Sequence, residues 1–307
     1  MRPGRVRQGR KISVYGICRN DGGELLLVRG AAESNFPGRW NLPGGGIEHG
    51  EAPLDALARE FFEETGITIE IGRLLDVRSD VVAHRDGRLT HFDRIVFEVR
   101  AIGGTLRAEM DGGTDRAEWF SAAAVGNLPL IPWLAAFLGY ADEERVGTGT
   151  IAAAGSTQRD PDVSQVQRFS AYGVVHDPAG RILLTRIASG YPGAGTWHLP
   201  GGGTDFGESA REALVREIHE ETGQEAVVGD LLEVVHTHNP QAYGPERRPL
   251  DWHTVRSIFD VTVPSPTDPV VRDLGGSTDQ VGWFTHGEIG QLTLNRLAQS
   301  IVGRYVK

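Results

Sequence analysis

"NLPGGGIEHGEAPLDALAREFFEETGI" occupies Asn41–Ile67, and "HLPGGGTDFGESAREALVREIHEETGQ" occupies His198–Gln224. Each joins three consecutive glycines to a stretch with helical apolar spacing: Leu54, Leu57, Ala58, Phe61 and Phe62 in the first, Leu214, Val215 and Ile218 in the second. Pro53 suits a first helical turn, and Gly66 and Gly223 stand where C-cap glycines belong. In the second half of each helix three carboxylates gather, Glu60, Glu63 and Glu64, then Glu217, Glu220 and Glu221. Helical geometry places each trio within an arc of about 100°, expected opposite the apolar stripe. Like charges so spaced cost roughly 0.2–0.5 kcal/mol per pair, and the macrodipole disfavours anions near a helix C-terminus. A solvated acidic face accounts for one such cluster but not for its recurrence with Arg59 or Arg216 directly before it and the glycine run at a fixed distance ahead. A divalent cation accounts for both, because carboxylate oxygens are the ligands Mg2+ takes and a bound ion turns repulsion into shared attraction. Gly44–Gly46 and Gly201–Gly203 precede a helix start, where free N–H groups favour anions, and read as the floor of a phosphate pocket.

Working outward, the whole chain is one unit written twice. "SVYG" at Ser13–Gly16 returns as "SAYG" at Ser170–Gly173, Trp40 as Trp197, Pro43 as Pro200 and "HFDRIVF" (His91–Phe97) as "HTVRSIF" (His253–Phe259). The offset grows after the shared core, so the second copy carries an insertion, placed at "NPQAYGPERRP" and read as a loop. Within each copy the pattern predicts strand, strand, helix, then further strands: "ISVYGIC" and "ELLLVR" around the turn "RNDGG", and after the helix "ITIEIGRLLDVRSDVV" and "FDRIVFEV". A short helix is expected over "LIPWLAAFLGYADEE". Small and polar residues follow, so the expected division is a first domain over 1–145, a linker over 146–167 and a second domain over 168–307. Hairpin-linked strands on both sides of one helix predict an α+β fold with mixed sheets.

The bulk numbers narrow the partners. The chain has 307 residues, a formal net charge of -10, 39% hydrophobic residues and one cysteine, Cys18. Neither half offers the positive field that long nucleic acid requires. No apolar run is long enough for a membrane span, and a lone cysteine fits a reducing, cytoplasmic compartment. The basic start "MRPGRVRQGRK" lacks the apolar core of a secretory signal and reads as a mobile arm.

These residues resemble the Nudix box, G-x5-E-x7-R-E-U-x-E-E-x-G-U with U a bulky aliphatic. From Gly45 the first copy supplies Glu51, Arg59, Glu60, Phe61, Glu63, Glu64, Gly66 and Ile67; from Gly202 the second supplies Glu208, Arg216, Glu217, Ile218, Glu220, Glu221, Gly223 and Gln224. The departures are Phe61, aromatic where an aliphatic is usual, and Gln224, polar at the last apolar position and expected to loosen the start of the next strand. The resemblance to a tandem Nudix hydrolase covers both domains but not the linker or arm. It implies two α/β/α sandwiches with mixed β-sheets, and hydrolysis of a phosphoanhydride in a nucleoside triphosphate or a nucleoside diphosphate linked to another moiety. It further implies Mg2+, with Mn2+ as substitute, held by Glu60 and Glu64 and by Glu217 and Glu221, with Glu63 and Glu220 holding a further metal or its waters. Glu51 and Glu208 assist, Arg59 and Arg216 hold glutamates in place, and the Gly45 and Gly202 backbone contributes a ligand or positions the nucleophile. Glu63 and Glu220 are candidates for the proton-accepting base, as are Asp111, Asp115, Glu118, Asp273 and Asp279. Because Nudix domains often pair, an intrachain pseudo-dimer is expected.

Substrate contacts are harder to read. Phe36 and Tyr191 border the glycine segments and offer rings to a planar base, whereas Trp40 and Trp197, equivalently placed, read as core. Arg29 and Arg186, ending a strand before the loop, are candidate phosphate contacts. His91 with Arg94, and His253 with Arg256, form H-x-x-R pairs that a strand splits onto opposite faces. Pro240 follows the second box near where the ADP-ribose-hydrolysing subgroup places a proline, and the histidines of "HTHNP" (His236–Pro240) read as pocket-lining or structural. Two alternatives stay open: a diphosphatase acting on a non-nucleotide, isoprenyl-type diphosphate, and a nucleotide-sensing protein with one or both sites non-catalytic.

Overall fold

The computed structural model describes residues 7–84, 86–109, 112–140, 164–243, 249–273 and 275–306. Most of the expected linker, the end of "LIPWLAAFLGYADEE" and Asp111 lie outside these residues. The chain divides into two units, Met1–Gln167 with His236–His253, and Arg168–Val235 with Thr254–Lys307.

In the first unit, β1 (Gln8–Cys18) and β2 (Leu25–Gly30) flank the expected turn, followed by the short strands β3 (Trp40–Asn41) and β4 (Gly44–Gly46). Helix α1 (Pro53–Thr65) leads into the long hairpin β5 (Ile67–Ala83) and β6 (Leu89–Gly104), then β7 (Thr114–Phe120), α2 (Ala122–Val125) and α3 (Pro132–Phe137). One sheet has the order β4-β1-β6-β5 and is mixed, since β1 runs parallel to β6 and antiparallel to β4. A second sheet, β3-β2-β7, is antiparallel. The parallel pairing takes in Gln8–Lys11, which lie opposite Leu89–Phe92. The last part of the basic start is therefore strand rather than mobile arm, because its backbone groups find ladder partners on β6.

Helix α1 packs on β1, β4 and β5. Phe61 is fully buried, and its ring comes so near Gly16 that a Cβ there would stand 2.9 Å from Phe61 Cε2. The aromatic departure from the box thus fills the space that Gly16 leaves. Pro53 occupies the first turn, and Gly66 caps the helix in the left-handed region at φ 70°. A core of Tyr15, Leu25, Leu27, Trp40, Val96 and Leu134 fills the space among β1, β2, β3, β6 and α3. Trp40 stacks edge-on against Phe120 with ring centroids 4.7 Å apart; full burial of such side chains is worth about 1.5–3 kcal/mol each.

The second copy runs β8 (Ser164–His176), β9 (Ile182–Ile187), β10 (Trp197–His198), β11 (Gly201–Gly203), α4 (Ala210–Thr222), β12 (Val227–Tyr243), β13 (Pro249–Thr262), β14 (Thr278–Phe284), α5 (His286–Ile289) and α6 (Arg296–Tyr305). Its strands follow the order β10-β9-β8-β13-β12, with β11 on β8 and β14 on β9. Trp197 repeats the edge-on contact, on Phe284 at 4.8 Å. The segment "NPQAYGPERRP" is less of a loop than expected: β12 continues through Tyr243 and β13 opens at Pro249. Pro240 lies in β12, the edge strand of this sheet, the position at which sheets accommodate proline.

Gln224 also departs from expectation. It is buried, and its amide receives the Thr267 N–H at 2.9 Å and donates to Thr267 Oγ1 at 2.9 Å. The polar residue ties the end of the helix to the 267 segment instead of loosening it, and β12 begins three residues later, at Val227.

Candidate active site

The glycine run forms a strand that lets the helix carboxylates reach its backbone. Gly44 sits at φ 136°, a region side chains rarely adopt, and donates its N–H to Glu64 Oε2 at 2.9 Å. A Cβ on Gly45 would stand 2.5 Å from Glu60 Cδ. The second unit repeats both features: Gly201, at φ 133°, donates to Glu221 Oε2 at 3.0 Å, and a Cβ on Gly202 would stand 2.5 Å from Glu217 Cδ.

Arg59 gathers the remaining carboxylates. Its Nε and Nη2 donate to the two oxygens of Glu51 at 2.8 and 2.9 Å, its Nη1 to Glu60 at 2.9 Å and Glu63 at 3.2 Å, and its Nη2 also to Gly46 O at 3.2 Å. Arg216 repeats the pattern on Glu208 (2.8 and 3.0 Å), Glu217 (3.0 Å), Glu220 (3.1 Å) and Gly203 O (3.1 Å). One planar guanidinium thus fixes the mutual positions of three glutamates and the glycine backbone, which a point-charge ammonium cannot do.

The face of the helix differs from the sequence expectation. Leu54, Ala58 and Phe62 are exposed, and the buried side is Pro53, Ala56, Leu57, Phe61 and Thr65. Glu60 and Glu64 lie within or beside that arc, so they face β4 instead of pointing away from the core; only Glu63 is turned to solvent. Likewise Val215 is exposed while Glu221 is buried. The helix tolerates this because the glycines remove the side chains that would otherwise occupy the space. Electrostatics register the cost. Burial pushes the Glu60 carboxyl up despite Arg59, and pushes Glu64 well above the ordinary carboxylate range despite the Gly44 hydrogen bond. Burial likewise raises Glu217, and raises Glu221 to about 7. Glu51, clamped by Arg59, is held below its usual value. Desolvated carboxylates pressed together are stabilised as anions by a cation among them.

Glu60, Glu64 and Gly45 lie in the wall of a cavity of about 630 Å3, within the size range of small-molecule sites. Phe36 is among its lining residues. So are residues that the sequence did not single out as site residues: Lys11, Arg39, Phe92, Glu109 and Trp133. Arg94, one member of an H-x-x-R pair, lies in the wall with its guanidinium 4.5 Å from the Phe92 centroid and 5.2 Å from that of Trp133, and pairs with Asp80. Glu109 accepts from Thr114 N and Oγ1, both at 3.1 Å. Lys11 and Arg168 are equivalent positions of the repeat, and in the structure the Lys11 side chain lies against Gly46 as the Arg168 guanidinium lies against Gly203. Glu109 and Trp133 carried no sequence signal, since the cavity brings them together with Lys11 and Glu60 from segments far apart in the chain.

Other candidates lie elsewhere. Arg29 is bound to Asp115 by two hydrogen bonds (2.8 and 3.0 Å), and Arg186 to Asp279 by two (2.8 and 3.2 Å); Arg29 is not among the residues lining the cavity. These pairs also occupy Asp115 and Asp279, while Glu118 is near Arg116 at 3.3 Å. Tyr191 is 44% exposed on the turn after β9. Asp273, in contrast, borders a groove of about 20 Å3 with Glu217, Glu220 and Glu221. There Thr278 Oγ1 donates to Glu221 Oε1 at 2.6 Å, so both oxygens of that carboxylate are engaged.

The family model for the NUDIX domain matches two regions, residues 9–138 and 166–303, each containing one glycine strand and one carboxylate helix. The chain belongs to the Nudix family. It carries two Nudix domains, each with sheets of the kind described above. Among curated relatives, it is 39% identical over 118 residues to an ADP-ribose pyrophosphatase of Methanocaldococcus jannaschii, a stretch covering 38% of this chain and 64% of that protein. It is 46% identical over 54 residues to diphosphoinositol polyphosphate phosphohydrolase 2 of Rattus norvegicus, covering 18% of this chain and 28% of that one. The chain therefore spans less than two thirds of these relatives' own length. A solved structure of the MutT protein from Methanosarcina mazei Go1 aligns with 46% of this chain and 99% of its own at 26% identity, with a TM-score of 0.38. No helix among the described residues is long and apolar enough to cross a membrane.

Proposed function

We propose that this Nudix protein is a Mg2+-dependent diphosphohydrolase, with Mn2+ as substitute, acting in the cytoplasm on a nucleoside diphosphate linked to another moiety, of the ADP-ribose class. The observation that carries this reading is the convergence of Glu60, Glu64 and the Gly44–Gly45 backbone on one wall of a cavity that also presents Lys11, Arg39 and aromatic faces. The all-oxygen donor set and the crowding of desolvated carboxylates fit a hard divalent cation, and Glu60, Glu63, Glu64 and the Gly45 carbonyl would hold it. When bound, that ion neutralises charge on the diphosphate and lowers the pKa of a water. The protein's own groups do the rest. Arg59 keeps the carboxylates in register, Lys11 and Arg39 pair with phosphate oxygens, and Phe36 and Phe92 stack on the base. The buried indole N–H of Trp133, without a hydrogen-bond partner among the described residues, is a donor for a ligand acceptor. Glu109, steadied by Thr114, accepts the proton from the attacking water, with Glu63 the other carboxylate within the cluster. The relative from Methanocaldococcus jannaschii, named as an ADP-ribose pyrophosphatase, supports the substrate class. The second box holds the same carboxylate set, and we assign it the same ion and chemistry, with Glu217, Glu220, Glu221 and Gly202 in the corresponding roles.

Glu64→Gln, Glu221→Gln and the double variant, assayed with Mg2+ on ADP-ribose, nucleoside triphosphates and an isoprenyl diphosphate, test this. Glu64→Gln is expected to lower hydrolysis of the ADP-ribose-type substrate by about a hundredfold or more. Turnover of the isoprenyl diphosphate alone would overturn the nucleotide assignment. Nucleotide binding with no product from any substrate, under Mg2+ or Mn2+, would replace the enzyme by a sensor.

A further inference from the structure

A second set of ligating side chains lies outside the carboxylate helices, wholly within the first unit. His49 stands in the turn between β4 and α1, His238 on β12 and Asp251 on β13. His238 Nε2 lies 2.6 Å and His49 Nε2 3.0 Å from the same oxygen, Asp251 Oδ1, and the three ligating atoms all fall within 4.8 Å of one another. The two imidazoles meet edge-on, centroids 5.4 Å apart at 89°. His49 Nε2 is buried, yet its approach to Asp251 lacks hydrogen-bond geometry. Two ring nitrogens thus converge on one carboxylate oxygen, and one of them is left without a satisfactory partner.

His253 defines the rest of the site by what it cannot do. Its Nδ1 accepts the Gly50 N–H at 3.1 Å and lies 3.1 Å from Gln167 Nε2, so the ring proton of the neutral imidazole resides on Nε2. With one nitrogen accepting and the other protonated, His253 is a wall rather than a ligand, stacked edge-on against His49 at 5.6 Å.

We propose that His49, His238 and Asp251 bind a divalent transition-metal cation of the zinc class, separate from the Mg2+ of the carboxylate helix. Imidazole with one carboxylate selects such ions, whereas Mg2+ takes oxygen donors almost alone. A tetrahedral ion with bonds of about 2.0–2.1 Å sets neighbouring ligand atoms roughly 3.3 Å apart, so the His238 and His49 nitrogens, at 2.6 and 3.0 Å from Asp251 Oδ1, open by roughly 0.7 and 0.3 Å to take it. Their side chains are 17–31% exposed, which leaves room for water as a fourth ligand. His49 precedes Glu51, the anchor of Arg59, by two residues, so the ion holds the turn that carries this anchor.

The whole 307-residue chain, stripped of metal and then saturated with Mg2+ to fill the carboxylate sites, is titrated with Zn2+ and, in parallel, with Co2+. The wild type is expected to retain one tight Zn2+ through this site and to show the visible absorption of nitrogen-ligated Co2+, which Zn2+ abolishes. His49→Ala and His238→Gln each weaken binding by at least about 10- to 100-fold, the loss that even a partner supporting a ligand brings about, and remove the Co2+ band. His238 is on the exposed side of the cluster, so its substitution reports even where that of His49 disturbs the turn. A wild type that holds no Zn2+ under Mg2+, or variants with wild-type Zn2+ affinity and an unchanged Co2+ spectrum, overturn the proposal.

Discussion

Gly45 and Glu60 meet so closely that the glycine has no room for a single methyl group: a Cβ at position 45 would stand 2.5 Å from the Glu60 carboxyl carbon. The contact joins the glycine strand β4 to the helix that carries the carboxylates. Gly45→Ala must displace the carboxylate or the strand. We expect activity to fall about 10- to 100-fold with circular dichroism unchanged, and Gly202→Ala to act in the same way on the second site through Glu217. Wild-type rates in Gly45→Ala would show that the Glu60 position is immaterial.

Arg59→Lys preserves the charge but not the fork. A lysine cannot reproduce the paired bonds to Glu51 while reaching Glu60 and Glu63. Expected are a fall in kcat of about tenfold with KM little changed, and a lowered Tm. A Tm decrease with kcat intact would confine the arginine to a structural part.

His198 is buried beside Thr185, its Nε2 3.0 Å from Thr185 Oγ1, and burial pulls its pKa down to about 4. The unfolded chain binds this proton near pH 6.5 and the folded one only near 4, so the unfolded state holds more protons between those values. Stability therefore rises with pH across this window and is lost as pH falls through it, by about 3 kcal/mol in full. His198→Gln removes that contribution. Parallel loss of stability in wild type and variant between pH 6.5 and 4, followed by chemical denaturation, would refute the assignment.

Gln224 replaces an apolar residue of the box and is held at both ends of its amide by Thr267. Gln224→Ala leaves the Thr267 groups without their partner, at a cost of about 1–3 kcal/mol. Gln224→Ile, restoring the usual residue type, is expected to destabilise as well, because the 267 segment still loses its acceptor. Denaturant midpoints decide between this and a neutral outcome.

The duplicated architecture, the strands around the glycine run, the helix with its Pro53 start and Gly66 end, and the trios of carboxylates were legible in the residues, because each depends on local periodicity or on spacing that the chain repeats. The side on which those carboxylates lie was not. Periodicity locates the apolar residues, but Leu54 and Phe62 turned out exposed and Glu64 turned inward, since what occupies a helix face depends on how much room the facing strand leaves. Arg29 and Arg186 looked available for phosphate until β7 and β14 supplied Asp115 and Asp279 beside them.

The sequence by itself determined that this is a tandem Nudix protein and which glutamates and arginines form its boxes, since the motif resides in a single helix and loop whose geometry is set within a few turns. Only the tertiary structure decided what surrounds them. Lys11, Glu109 and Trp133 reach the first cavity, and His49 meets His238 and Asp251, through contacts between segments far apart in the chain. Such contacts follow from sheet register and packing, which no short window of sequence encodes.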